Sequence, residues 1–241
     1  MWPVCKKEFR QFFSSLTGYI AIAVFLLLNG LFLFIFPDTN ILDFGYATLD
    51  QFFQLSPYIL LLLVPAITMR TFAEEFRGGT FEILRTRPIR SSQLVTGKYS
   101  GCFAVVLIAL LPTLLYAYTI DTLGVEGGLD GGATAGSYVG LLLLSAVFVS
   151  IGICCSSFTN NAVVAFIAAA FVCFLCYAGF DAVSRIPVFE SGADYYIGML
   201  GISSHYSSIS RGVIDFRDLI YFLSVIAFFL FLTNRNIIAR Q

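Results

Sequence analysis

Residues 137–156 read SYVGLLLLSAVFVSIGICCS. The run holds no Asp, Glu, Lys, Arg or His, and a helix of about 20 apolar residues crosses about 30 Å of hydrocarbon. Working outward, five more stretches read the same way, over about 17–36, 55–71, 99–120, 161–180 and 219–233. None shows the apolar–polar alternation of a barrel strand. The chain is therefore expected to be all-α: a single membrane domain over 1–241 with six transmembrane helices.

Composition supports this. Of 241 residues, 58% are hydrophobic and 12% are charged, against roughly 45–50% and 25% in soluble domains. Twenty-nine charged residues cannot cover a soluble domain of this size. A soluble enzyme, a secreted disulfide scaffold, a disordered chain and a basic nucleic-acid binder are excluded, so no nucleic-acid partner is expected. Placement of charge says more than its sum. Eleven of the 14 Lys and Arg flank one side: Lys6, Lys7 and Arg10 before the first span; Arg70, Arg77, Arg85, Arg87, Arg90 and Lys98 between the second and third; Arg235 and Arg240 after the sixth. Eleven of the 15 acids fall in the opposite loops. By the positive-inside rule both termini are cytoplasmic. Phe36-Pro37-Asp38 offers no small-residue cleavage site, so the first run is read as a span and not as a secretory signal.

The chemistry is sparse. No ionisable residue sits in the middle of a span, where ion-coupled carriers place them. Asn29 is the most polar mid-span residue and reads as an interhelical hydrogen bond. His205, the one histidine, lies among serines; a Ser–His hydrolase is the distant reading, and a metal motif is excluded. Gly97-Lys98-Tyr99 is no P-loop. Cys173 and Cys176 have CxxC spacing inside an apolar span, where a redox or zinc role is not expected. Gly136 and Gly140 have the spacing of close helix packing. The glycine-rich segment 121–136 reads as a flexible loop. In 181–218, Tyr195, Tyr196, Met199, Leu200 and Ile202 form an interfacial patch.

Two features mark the basic side. Residues 1–16 form an amphipathic interfacial helix: Trp2, Cys5, Phe9, Phe12, Phe13 and Leu16 share one arc, with Lys6, Lys7 and Arg10 beside or opposite it. Such a helix is expected in the headgroup plane of the bilayer, rings toward acyl chains and cations toward phosphates. The loop 70–98 reads RTFAEEFRGGTFEILRTRPIRSSQLVTGK. Gly78-Gly79 ends the helix carrying Glu74 and Glu75. Thr80 caps a short helix over roughly 80–86, which Pro88 stops, and Ser91 or Ser92 caps the next. The short helix is expected to expose Phe81 and Leu84, with Glu82 and Arg85 beside them, as a knob for a groove on another protein.

Glu75, Gly79-Thr80-Phe81-Glu82-Ile83-Leu84, Pro88 and Gly97-Lys98 resemble the coupling-helix signature of ABC-2 type exporter permeases. The basic N-terminal helix, six spans and cytoplasmic termini fit the same family, and Ser210–Phe222 resembles the gliding-motility-associated (GldF-like) branch. The resemblance implies a bacterial inner-membrane permease subunit that couples ATP hydrolysis by a partner to movement of substrate, in a gliding-motility or secretion complex. It implies docking of an ABC ATPase on this loop, two copies to each pair of membrane subunits, through Glu75, Gly79, Thr80, Phe81, Glu82, Leu84, Arg85 and Pro88. It implies a second membrane subunit, identical or related, and no cofactor on this chain, with ATP and Mg on the ATPase. Short re-entrant helices above the exit are implied for 181–218. A mechanical transmitter or scaffold that relays ATPase motion to an external partner shares the docking loop and is the alternative.

Overall fold

The structure is a computed structural model that describes residues 2–36, 48–85, 90–124, 129–185, 198–212 and 215–240; within 83–85 it describes the backbone alone. Its helices are α1 (Trp2–Phe13), α2 (Leu16–Phe34), α3 (Asp50–Thr68), α4 (Ala73–Arg77), α5 (Thr80–Arg85), α6 (Ser91–Leu110), α7 (Leu114–Leu123), α8 (Gly131–Phe158), α9 (Ala162–Phe174), α10 (Phe180–Ser184), α11 (Ile202–Ile209) and α12 (Phe216–Ala239). Among the described residues there is no strand. Six stretches are long and apolar enough to cross a membrane: Leu16–Phe34, Asp50–Arg77, Ser91–Leu123, Gly131–Phe158, Ala162–Ser184 and Phe216–Ala239. The protein is an all-α polytopic membrane protein. The six runs read from sequence all reappear, mostly longer, because polar turns at their ends continue the helices.

The bundle is organised around α8, which touches α3, α6, α9, α11 and α12. Of its apolar stretch 78% is buried, against 17% for α12 and 22% for α2 and α9. Small residues explain the centre. A Cβ on Gly152 would collide with the Thr68 side chain, so α3 and α8 touch there through glycine alone. Gly136 lies against the backbone of Gly212, and Gly140 against Ile209, so the Gly136/Gly140 pair packs as its spacing suggests, on α11 and the turn that follows it. Gly131, Gly132 and Gly136 belong to α8, which Asp130 caps by accepting from the Gly132 and Ala133 amides. This shortens the loop expected over 121–136 to a connection between Leu123 and Gly131, of which 125–128 lie outside the described residues.

Polar atoms in the spans are satisfied locally, as hydrocarbon requires. Asn29 donates to Phe25 O (2.8 Å) and accepts from Ser56 Oγ on α3 (3.0 Å), the interhelical bond expected of it. Pro57 sits inside α3 and has no amide hydrogen, which strips the Phe53 carbonyl of its helical donor. Tyr206 of α11 supplies one instead, its hydroxyl 2.7 Å from Phe53 O. Burial, then the neighbouring Tyr177 phenol, holds the Tyr206 phenol well above its ordinary pKa, so it keeps the proton it donates. One π-turn, Leu175–Gly179, interrupts the fifth span. Tyr177 within it packs its ring edge-on against Tyr58, Phe148 and Tyr206.

His205 is buried at the same end. Its Nδ1 lies 2.6 Å from Asp218 Oδ1, its Nε2 2.9 Å from the Met199 carbonyl, and its ring stacks on Tyr221 at 3.9 Å. Both nitrogens are engaged by groups other than serine, so the Ser–His arrangement is not formed. The site holds α11 to α12. Of the interfacial patch, Ile202 is buried and Met199 and Leu200 are exposed; Tyr195 and Tyr196 lie outside the described residues.

Candidate functional site: the charged foot of the bundle

The opposite end of the bundle carries α1, α4, α5 and the start of α6. The second span does not run straight into α4. Between Met69 and Phe72 the helix breaks, and Ser156 of α8 takes over its hydrogen bonds: the hydroxyl accepts from the Phe72 (3.1 Å) and Ala73 (3.2 Å) amides and donates to Met69 O (3.0 Å). This one side chain fixes the angle at which α4 leaves the membrane-spanning part.

Beyond the break lies a buried ionic cluster. Lys98 Nζ, on α6, is 2.6 Å from Glu8 Oε1 of α1, 3.0 Å from Glu75 Oε1 of α4 and 2.6 Å from Thr71 O. An ammonium has three hydrogens for these three acceptors. The side chains of Lys98, Glu8 and Glu75 are 1%, 8% and 9% exposed. Lys7, half exposed, donates to the same Glu75 oxygen at 2.7 Å. The Phe72 ring sits 4.8 Å from Lys98 Nζ and adds a cation–π contact. Two carboxylates and two ammoniums cancel, which is what lets charge persist in so buried a place. Glycine at 101 permits the approach: a Cβ there would stand 2.8 Å from the Glu8 Cβ.

Two expectations about α1 change here. The helix packs along α6, with Val4 and Glu8 buried and Phe9, Phe12 and Phe13 packed against the protein core. Phe9, Phe12 and Phe13 are thus partly covered by protein, and the half-exposed Lys7 is held by Glu75. Trp2, Lys6 and Arg10 are exposed. Sequence reasoning passed over Glu8. The signal was present: Glu8 stands four residues from both Val4 and Phe12, on one helical stripe.

Gly79, at φ +66°, makes the left-handed turn between α4 and α5. Thr80 does not cap α5. It is the first residue of the helix, and its hydroxyl donates back to Glu75 O (3.4 Å) while the Glu82 amide bonds Gly79 O (3.3 Å). Arg90, not Ser91 or Ser92, holds the N-cap position of α6, without a side-chain cap bond. Phe81 is not exposed: it is 6% accessible, its ring edge-on to Phe76 at 4.9 Å. The physical reason is the tight Gly78-Gly79 turn, which folds α5 back on α4 and gives Phe81 an aromatic neighbour. Glu82 is exposed. The side chains of Leu84 and Arg85, and Pro88 altogether, lie outside the described residues. Arg240 closes the foot from the far end of the chain, with its guanidinium 4.4 Å over Phe76 and bonds to Phe158 O and Asn160 Oδ1. The described ends of the chain, α1 and the last turn of α12, thus meet on one end of the bundle.

Among the described residues no group of His, Cys, Asp and Glu could hold a metal. Six apolar spans and a compact charged foot define a multi-pass membrane domain. The chain belongs to the ABC-2 family transporter proteins, whose family model matches residues 2–234. It is thus a membrane permease component of an ABC exporter, a kind of subunit that works with an ABC ATPase and pairs within the membrane. A comparison with curated proteins finds no match.

Proposed function

We propose that the foot is where work enters this permease. A partner ATPase seats on the α4–α5 turn, with Glu82 among its contacts and the α5 residues toward Pro88 completing the surface. Closure of two ATPase copies pushes α5. Because Glu75 is bound to Lys98 and Lys7, and Lys98 to Glu8, the thrust on α4 passes to α6 and α1 together. The paired membrane subunit, a second copy or a related chain, moves in the opposite sense, and substrate passes outward between the two. The buried Glu8–Lys98–Glu75 cluster carries this reading: a loop that served only to set topology would have no use for buried ions joining three helices. The basic side faces the cytoplasm of a bacterial cell, with both termini inside and the ATP and Mg on the partner.

Charge reversal tests the docking site. Glu82→Lys leaves the buried cluster untouched and is expected to abolish co-purification of the ATPase and to remove coupled ATP turnover. Unchanged association and turnover would remove α5 as the docking helix. The similarity of Ser210–Phe222 to the gliding-motility-associated branch supports a role in surface motility or secretion. An adjacent ATPase gene and a neighbour encoding a large external domain are expected if that placement is right.

A further inference from the structure

A cavity of about 440 Å³ lies beside the ionic cluster, in the angle between α1, α2, α3 and α6. That volume falls within the roughly 300–1,000 Å³ of small-ligand sites. Its walls divide by chemistry. Ile20, Ala21, Ala66, Ile67, Cys102 and Val105 make an apolar floor along the spans, while Gln11, Ser14, Ser15, Thr17 and Arg70 form the rim at the α1–α2 elbow. Every rim group carries a donor; Ser14 Oγ gives its hydrogen to Gln11 O and one of Ser15 and Thr17 donates to the other, so the Gln11 amide, one of those two hydroxyls and Arg70 face the cavity with hydrogens to give. One acid lines the cavity, Glu8, and its charge is held by Lys98 at 2.6 Å. Arg70 spends Nε on Glu74 at 3.2 Å; among the described residues no other hydrogen bond is made by its guanidinium, which leaves the terminal amino groups for a ligand.

We propose that this cavity holds one anionic phospholipid, with an acyl chain on the apolar floor and the phosphate at the rim on Arg70. Three observations select that occupant. The site sits where α1 meets the first span, at the end of the spans that carries Lys6, Lys7 and Arg10. A donor-rich rim above an apolar floor matches a phosphodiester above a hydrocarbon tail, and matches neither a free anion nor a plain hydrocarbon. The cavity is bounded by α1 on one side and by α3 and α6 on the other, so the lipid wedges the amphipathic helix against the bundle beside the Glu8–Lys98 bond. Every wall of the site comes from a single chain.

The test uses the full chain without an ATPase, so that its outcome is independent of the docking proposal. The purified protein in a neutral maltoside detergent is titrated with phosphatidylglycerol or phosphatidylcholine, and bound lipid is counted by native mass spectrometry. One retained phosphatidylglycerol per chain is expected. Its preference over phosphatidylcholine should fall on the order of tenfold in Arg70→Gln, as loss of a charge-assisted contact implies. Ala21→Trp fills the floor and should retain no lipid. Should Ala21→Trp fail to fold, Ala66→Leu serves the same purpose. Absence of stoichiometric lipid on the parent chain would overturn the proposal. So would equal retention of the two lipids by the parent and Arg70→Gln, or retention of detergent in place of lipid.

Discussion

Replacing Lys98 by methionine removes the one cation that Glu8 and Glu75 share. At 2.6 and 3.0 Å, and with an effective dielectric of about 20, each attraction is worth roughly 6 kcal/mol before desolvation. Those gross values largely cancel against the cost of burying three ions, so the net effect depends on what is left behind. Methionine preserves volume but leaves two carboxylates at under 10% exposure, with only Lys7 remaining beside Glu75. Breaking a buried ion cluster in this way costs about 3–5 kcal/mol. The assay is equilibrium unfolding of the full chain in detergent, followed by far-UV circular dichroism, with hydrogen exchange reporting release of α1 from α6. The triple variant Lys98→Met, Glu8→Gln, Glu75→Gln carries no buried charge at the site and is expected to recover at least half of the loss. A Lys98→Met chain within about 0.5 kcal/mol of the parent would refute the reasoning, since a buried unpaired carboxylate alone costs more than that. So would a triple variant no more stable than the single one.

Three other perturbations separate the remaining devices. Ser156→Ala leaves the Phe72 and Ala73 amides and Met69 O without their partner; a loss of about 1–3 kcal/mol is expected, with faster hydrogen exchange at Phe72 and Ala73 and none of the effect in α11. Tyr206→Phe removes the donor to the Phe53 carbonyl that Pro57 exposes. It should cost about 1 kcal/mol and speed exchange in α11, while the foot is unchanged. Gly152→Ala drives a methyl into Thr68, whose hydroxyl is held by Val64 O at 2.9 Å. Overpacking of about 1–3 kcal/mol should follow, measured as a lower unfolding midpoint; a neutral result would mean that α3 and α8 do not meet as described.

The two ends of the molecule use polar groups differently. At the α11 end, Tyr206, His205 and Ser137 each tie a short helix to a span through one or two bonds. At the foot, ions join three helices and a serine replaces the hydrogen bonds of a broken span. A short helix held by such separate ties, one of them to the Asp218 carboxylate, can be released one tie at a time. A neutralised buried cluster resists separation of its members, because each ion that leaves exposes another. The foot is therefore tied together as a unit, which is the property that the proposed site of force entry needs.

Sequence alone determined the six spans, the all-α class, the sorting of charge to one side and the helix break at Gly78-Gly79. These are local properties: transfer of apolar side chains adds along a segment, and the left-handed turn belongs to its own glycine. Tertiary structure decided the rest. Lys98 reads only as one of the cations flanking the spans, and Glu8 is passed over, because nothing within a few residues of either is its partner; they are 90 residues apart and meet only once α1 lies along α6. Ser156 looks like any small residue of an apolar helix until the second span breaks beside it. Phe81 reads as exposed on a short amphipathic helix, and is covered because α5 folds back on Phe76. Which face of a helix meets which neighbour depends on rotation and crossing, and a buried polar atom finds its partner only after both are set.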